Sequence, residues 1–258
     1  MRVTILGCGS SAGIPAIRFD EIGGGWGACD PQNPKNRRTR ASIMVEVEGL
    51  TFIIDTSPDF KEQIIRARPQ WIDAIFYTHT HADHCHGIDE LRNLYYVNGY
   101  TSPVPVYGSP QTINDLLKCF GYLFGLEPGY HADVLTAHVV EAPFHIGEIE
   151  IIPFPQDHIY MESTGFRIGN FAYSTDVKHL NEEAFRKLEN LDLWVVDCIA
   201  REPRATHSHL AQTLTWIERL KPKRALLTHL GHTLDYESLK KELPVHVEPA
   251  FDGLVMDL

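Results

Sequence analysis

Short runs of β-branched and aromatic residues recur along the chain and predict strands at residues 3–6, 42–48, 51–55, 74–77 and 104–107. The second half repeats the style at 139–142, 148–154, 165–168, 170–174, 193–197, 224–228 and 254–257. Between them, amphipathic spacing and end signals predict helices over 58–67, 110–120, 181–188 and 209–220. Leu210, Leu214, Ile217 and Leu220 form one apolar stripe, which is expected to pack against a sheet. No Pro/Gly/Ser-rich linker interrupts the alternation, so one domain covering residues 1–258 is expected.

Composition narrows the function classes. The chain is 43% hydrophobic and 22% charged, the makeup of an ordinary globular protein. Its net charge of -11, from 34 acidic and 23 basic residues, has the wrong sign for gripping a nucleic-acid backbone. Long RNA or DNA is therefore not an expected partner, whereas a small phosphorylated substrate is. The basic stretch Lys35-Asn36-Arg37-Arg38-Thr39-Arg40 is either a local patch for such an anion or a solvated loop. Cys8, Cys29, Cys85, Cys119 and Cys198 are odd in number and form no CxxC pair, which argues against a disulfide framework and for a reducing cytoplasm. The amino terminus reads as a strand rather than a signal peptide. No apolar run approaches the roughly 20 residues needed to span a bilayer, so no membrane association is expected.

The chemistry concentrates at His79-Thr80-His81-Ala82-Asp83-His84, directly after the strand-like run Ala74-Ile75-Phe76-Tyr77. Residues two apart at a strand end point the same way, so His79 and His81 can reach one metal ion while Asp83 and His84 face another. One loop cannot close two metal shells. His158, Asp176 and His229 each follow an apolar strand-like run and are the candidates to complete them. Asp55 ends another such run and either orients a ligand histidine or caps a turn. The cluster Gly23-Gly24-Gly25-Trp26-Gly27 is a loop, either at the entrance to the site or elsewhere on the surface. Gly7-Cys8-Gly9-Ser10-Ser11-Ala12-Gly13 lacks the glycine spacing of a dinucleotide site. Tyr95, Tyr96, Tyr100 and Tyr107 either stack a base or sugar or pack internally.

With these residues in hand, the chain resembles the metallo-β-lactamase superfamily, whose HxHxDH motif is matched at His79, His81, Asp83 and His84. The resemblance covers essentially the whole chain and implies an α/β fold, the αββα sandwich of two face-to-face sheets with outer helices. It implies His79, His81 and His158 on a first ion, Asp83, His84 and His229 on a second, and Asp176 bridging. The opening Gly7–Pro15 segment, Asn36-Arg37-Arg38 and Asp197-Cys198 resemble the phosphodiesterase branch, the PhnP family of phosphoribosyl cyclic phosphate phosphodiesterases above all. In that family a histidine supports departure of the leaving oxygen. His207 takes the role here, with His209 as its neighbouring alternative. The family pattern also includes a structural zinc held by a CxCxxC cluster and a late histidine, of which only Cys29 and His232 remain; no structural zinc is expected.

The expected cofactors are thus two divalent ions per chain, manganese or zinc, since imidazole and carboxylate ligands do not choose between them. Two ions about 3.5 to 4 Å apart lower the pKa of a bridging water, which makes Asp83, Asp176 and His207 the catalytic set for attack by hydroxide on a small phosphodiester. A transfer-RNA 3′-processing nuclease of the same superfamily and a non-enzymatic metal-dependent binder are the alternatives. A homodimer would be in keeping with the superfamily. His86 and His131 are the remaining histidines whose positions bear on this reading.

Overall fold

Alternation within each strand feeds two cores at once. In the computed structural model, which describes residues 1–20, 23–126 and 133–258, β1 (Arg2–Gly7), β2 (Ser42–Val47) and β3 (Leu50–Ile54) form an antiparallel meander. The two-residue link Glu48-Gly49 has positive φ at both positions (51° and 82°), the conformation whose twist matches a tight hairpin. From β3 the sheet continues in parallel through β4 (Ala74–Phe76), β5 (Val104–Gly108) and β6 (Leu135–Val139), while β14 (Val255–Asp257) closes the other edge on β1. Parallel neighbours need crossovers. Here α1 (Phe60–Ala67) lies between β3 and β4, α2 (Ala82–Cys85) and α3 (Leu91–Val97) between β4 and β5, and α4 (Pro110–Phe120) between β5 and β6.

The second sheet mirrors this plan. β7 (Phe144–Ile146), β8 (Ile149–Asp157), β9 (Glu162–Ile168) and β10 (Phe171–Ser174) run antiparallel, and β11 (Leu193–Asp197), β12 (Arg224–Thr228) and β13 (Val247–Pro249) add in parallel. α5 (Glu182–Lys187), α6 (Leu210–Leu220) and α7 (Tyr236–Glu242) fill the parallel crossovers. Among the described residues each sheet has seven strands.

The inner faces meet in one apolar core. Val3, Ile5, Phe52, Ile54 and Phe76 come from the first sheet, and Ile151, Phe166, Ile168, Phe171, Leu193, Val195 and Leu226 from the second. Phe76 lies 5.3 Å from Phe166 across that interface, ring centre to ring centre. Intervening residues point outward: Ile53 and Ile75 pack under Phe60 and Leu91, while Trp194 and Val196 pack under Phe185, Trp216 and Ile217. Each such fully buried side chain contributes roughly 1.5–3 kcal/mol. The αββα sandwich follows from this double use of every central strand.

Several elements depart from expectation. The strand expected at 139–142 lies earlier, as β6, because the edge pairs Val104–Gly108 with Leu135–Val139. β7, β13, α3 and α7 were not anticipated. The stripe on α6 packs as expected, with Ile217 buried and Leu210, Leu214 and Leu220 half-buried against the second sheet. Among the described residues no helix is long and apolar enough to cross a membrane.

Candidate metal centre

β4 is wholly buried and delivers the chain to the edge where both sheets end. His79 follows it, and the single turn of α2 brings Asp83 and His84 back toward the same point, with His84 N and Cys85 N donating to the His81 carbonyl. The second sheet meets this loop with one residue per strand: His158 just past β8, Asp176 past β10 and His229 just past β12. All except His81 and Asp83 are buried.

Asp176 stands in the middle. Its Oδ1 is 3.8 Å from His79 Nε2 and 3.6 Å from His158 Nε2, and its Oδ2 is 3.0 Å from His84 Nε2 and 3.6 Å from His229 Nε2. Asp83 Oδ2 lies 3.3 Å from His84 Nε2 and 3.4 Å from His229 Nε2, and His79 Nε2 is 2.9 Å from His81 Nδ1. The geometry thus gathers three overlapping groups able to hold a metal, His79/His81/His158/Asp176, Asp83/His84/His229 and Asp176/His207/His229, each with its donor atoms within 4.8 Å of one another.

The hydrogen bonds behind these atoms fix which ring nitrogen faces inward. Asp55 Oδ2 accepts from His84 Nδ1 at 2.7 Å and from the Thr78 hydroxyl at 2.8 Å. That hydroxyl in turn accepts from His79 Nδ1 at 3.0 Å, and the Thr206 carbonyl accepts from His158 Nδ1 at 2.8 Å. Three imidazoles therefore turn Nε2 toward the pocket. His84 Nε2 is buried without a hydrogen-bond partner while facing two carboxylates. A ring nitrogen between two carboxylates calls for a cation there, a proton or a metal, and a divalent metal fits this donor set. Asp55 thus orients a histidine rather than merely capping a turn.

Electrostatics agree. Burial opposes charge on His84, but Asp176, Asp55 and Asp83 outweigh it and hold the imidazole's pKa well above its ordinary value. Burial and then the neighbouring His84 push His79 well down, and burial pushes His158 down. Burial would raise Asp176, but His229, His84 and His79 hold it well below the usual carboxylate range; His84 and His229 do the same for Asp83. The pocket accepts positive charge on a few atoms and refuses it on all imidazoles together.

Asp55, Asp176 and His229 share a backbone feature: each has positive φ, at 64°, 53° and 55°. The left-handed residue turns the chain off the strand and swings the side chain over the sheet edge.

Beside Asp176 sits His207, its Nε2 3.8 Å from Asp176 Oδ1 and its Nδ1 3.3 Å from Asp197 Oδ2. Burial disfavours charge on His207, but Asp197 more than compensates and pushes its pKa up to about 9. Sequence reasoning noted Asp197 only as part of a likeness and gave it no role. It ends β11, is buried, accepts from Val177 N and Ser208 N, and places Oδ1 3.7 Å from His229 Nδ1. A carboxylate closing an apolar strand was the available signal, the same one that marked Asp55. Lys178 Nζ donates to the carbonyls of Arg204 and His207 and so fixes their loop. His209, the alternative to His207, instead starts α6.

Other expectations sort by position. Three positive charges of Lys35–Arg40 face protein: Arg38 is buried and donates to Leu234 O, Arg40 pairs with Asp59 at 3.2 Å, and Lys35 lies over Tyr236, whereas Arg37 is exposed beside Trp26. Gly25 pairs with Ala16 through two backbone bonds, and Gly27, φ 60°, fits against His232, where a Cβ would come within 2.6 Å of the ring. Cys29 Sγ points at the His232 carbonyl, 3.7 Å away, and among the described residues no third ligand joins them. Tyr100 bonds both backbone groups of Ile72 and Tyr107 stacks on Phe144, so these rings pack internally. His86 lies against Phe120. His131 is outside the described residues.

The "Beta-lactamase superfamily domain" family model matches residues 51–230, a span that holds the whole ligand constellation. The chain belongs to the beta-lactamase superfamily. A solved structure described as a new diphosphatase from the PhnP family is 33% identical, covers 100% of this chain and 97% of its own, and superposes with a TM-score of 0.89. Human tRNase Z, short form, shares the fold at 19% identity, TM-score 0.71, covering 100% of this chain and 99% of its own. Among curated relatives, an octanoyltransferase from Porphyromonas gingivalis is 28% identical over 98% of this chain and 51% of its own length. A ribonuclease Z from Mycolicibacterium gilvum is 27% identical over 52% of this chain and 53% of its own. The chain spans about half the length of these curated relatives.

Proposed function

We propose that this superfamily hydrolase is a dinuclear metal-dependent phosphodiesterase acting on a small phosphodiester of the cyclic ribosyl or nucleotide kind. The observation that carries the reading is the His207–Asp197 pair set 3.8 Å from Asp176, at the rim of two facing metal-ligand groups. His79, His81 and His158 would hold one ion, Asp83, His84 and His229 the other, with Asp176 shared. When bound, two divalent ions, manganese or zinc, supply charge neutralisation and activation of water. His207, protonated below a pKa of about 9, presents Nε2 to the pocket and donates to a phosphoryl oxygen or the departing alkoxide. Asp197 holds that imidazole through Nδ1 and stabilises its charge. Asp55 and Thr78 keep His84 and His79 turned inward.

The net charge of -11 favours a small substrate over a long RNA, although ribonuclease Z relatives keep RNA processing as the second reading. The octanoyltransferase name belongs to a chain twice as long and lends no support to acyl transfer here. The test is turnover of bis(p-nitrophenyl) phosphate, cyclic ribose phosphates and precursor transfer RNA by metal-reconstituted protein, beside Asp176→Ala. Metal-dependent turnover of the small esters, lost in the control, supports the proposal. Cleavage of the RNA alone, or no turnover with two metals bound, overturns it.

A further inference from the structure

Three buried polar side chains that belong to neither ligand group hold Asp176 in place. The backbone ladder between β10 and β9 runs only from Phe171 to Tyr173. Past its end β9 turns to the first sheet, where Thr164 N donates to Thr78 O at 2.8 Å. The carbonyls of Thr175 and Asp176 lie beyond that ladder in the interior, where an unpaired carbonyl is costly.

Side chains replace the missing ladder. Ser163 Oγ donates to Asp176 O at 2.8 Å, and Gln156 Nε2 donates to Thr175 O and to Ser163 Oγ, both at 3.1 Å. Gln156 and Ser163 are partners across β8 and β9, and both are buried. Gly165 leaves room for them, since a Cβ there would lie 2.3 Å from the Phe154 ring and 2.9 Å from Gln156 Oε1. These bonds tie down the carbonyls on both sides of the left-handed turn at Asp176.

One more bond reaches the carboxylate itself. Thr175, fully buried, donates from Oγ1 to Asp176 Oδ2 at 2.6 Å. Among the described residues no hydroxyl or backbone N–H donates to Oδ1. The tied oxygen is the one 3.0 Å from His84 Nε2, and the free one faces His79 and His158 at 3.8 and 3.6 Å.

Resting on the dinuclear reading above, we infer that Thr175 is a positioning residue that locks the Asp176 carboxylate with one oxygen toward each ligand group, on a backbone that Gln156 and Ser163 hold. The torsion that turns a carboxylate is soft, and a carboxylate binds a cation through one oxygen or both. Without the lock, Asp176 turns both oxygens to whichever ion arrives first, and the second ion loses its share. Thr175 therefore acts on the second binding step more than on the first.

The experiment strips full-length protein of metal and follows zinc binding by chelator competition in wild type, Thr175→Val and Thr175→Ser. Thr175→Val keeps the branched shape without the hydroxyl. It is expected to weaken the second zinc about 10–100-fold and leave the first unchanged. The zinc concentration that gives half-maximal turnover of bis(p-nitrophenyl) phosphate should rise by the same factor. Thr175→Ser, which keeps the donor, should restore both readouts. An unchanged second step, equal weakening of both steps, or a serine variant that fails to restore them overturns the lock. If metal-free Thr175→Val melts early, Thr175→Ala makes the same comparison with less bulk. Wild-type protein that binds two zinc ions and cleaves no ester, yet loses the second step in Thr175→Val, keeps the lock and loses the phosphodiesterase. Full ester turnover with a single zinc bound keeps the hydrolase and sinks the lock.

Discussion

The two sheets contribute to one pocket in opposite ways. The first delivers His79, His81, Asp83 and His84 from a single continuous segment after β4, whereas the second delivers His158, Asp176, Asp197 and His229 from four separate strand ends. The continuous segment keeps its internal geometry through one helical turn. The scattered set depends on register: β10, β11 and β12 pair in parallel with Ser174 opposite Val196 and Asp197 opposite Thr228. A slip of one residue would turn each of these side chains to the other face. The first sheet therefore supplies most of the candidate ligands, and the second supplies their convergence.

That contrast can be broken by substitution. Asp176→Ala removes the carboxylate that lies between the ligand groups and should abolish measurable metal-dependent turnover and lower bound metal below two per chain by elemental analysis. Asp83→Ala, on the first sheet's segment, should keep the His79/His81/His158/Asp176 group occupied. Equal metal loss from both variants would show that neither sheet dominates. His207→Ala should lower kcat by roughly 10²–10⁴, the range for one general acid, with metal content retained. Unchanged kcat would remove His207 from the chemistry.

Two smaller effects sharpen the picture. Asp55→Ala should weaken metal affinity about 10–100-fold by releasing His84 Nδ1, read by chelator competition. Asp197→Asn tests the charge behind His207. Its carboxylate raises the His207 pKa, so the proton is present at neutral pH and lost as pH rises through that value. Removing the charge lowers the pKa, and the alkaline limb of kcat should move to lower pH. An unmoved limb would assign it to another group.

Much of this was legible in the residues. The strands of both cores announce themselves because both faces are buried, and the ligand motif sits where an apolar run stops. The misses have physical causes. β6 lies at the sheet edge with only Leu135 buried, so its pattern carries little apolar signal. β13 is three residues long and contains Pro249. α3, Leu-Arg-Asn-Leu-Tyr-Tyr-Val, is rich in aromatic and β-branched residues of modest helix propensity and is held by Leu91 and Tyr95 against the first sheet's outer core. α7 is short and depends on Asp235 accepting from Ser238 N. Asp197 was missed for a different reason: its carboxylate acts between His207 and His229, and only the parallel pairing of β11 with β12 brings those three together.

The left-handed turns at Asp55, Asp176 and His229 bear on how this pocket can change over generations. Asp, Asn and His are the side-chain-bearing residues that tolerate this conformation best, so the backbone and the chemistry favour nearly the same alphabet. Asparagine belongs to the backbone's list without supplying a carboxylate. A descendant with Asn at position 176 would keep its turn, its sheets and its shape while falling chemically silent. Intact architecture in a distant cousin is thus no guarantee of a working enzyme, and the residue at the end of β10 is the place to look.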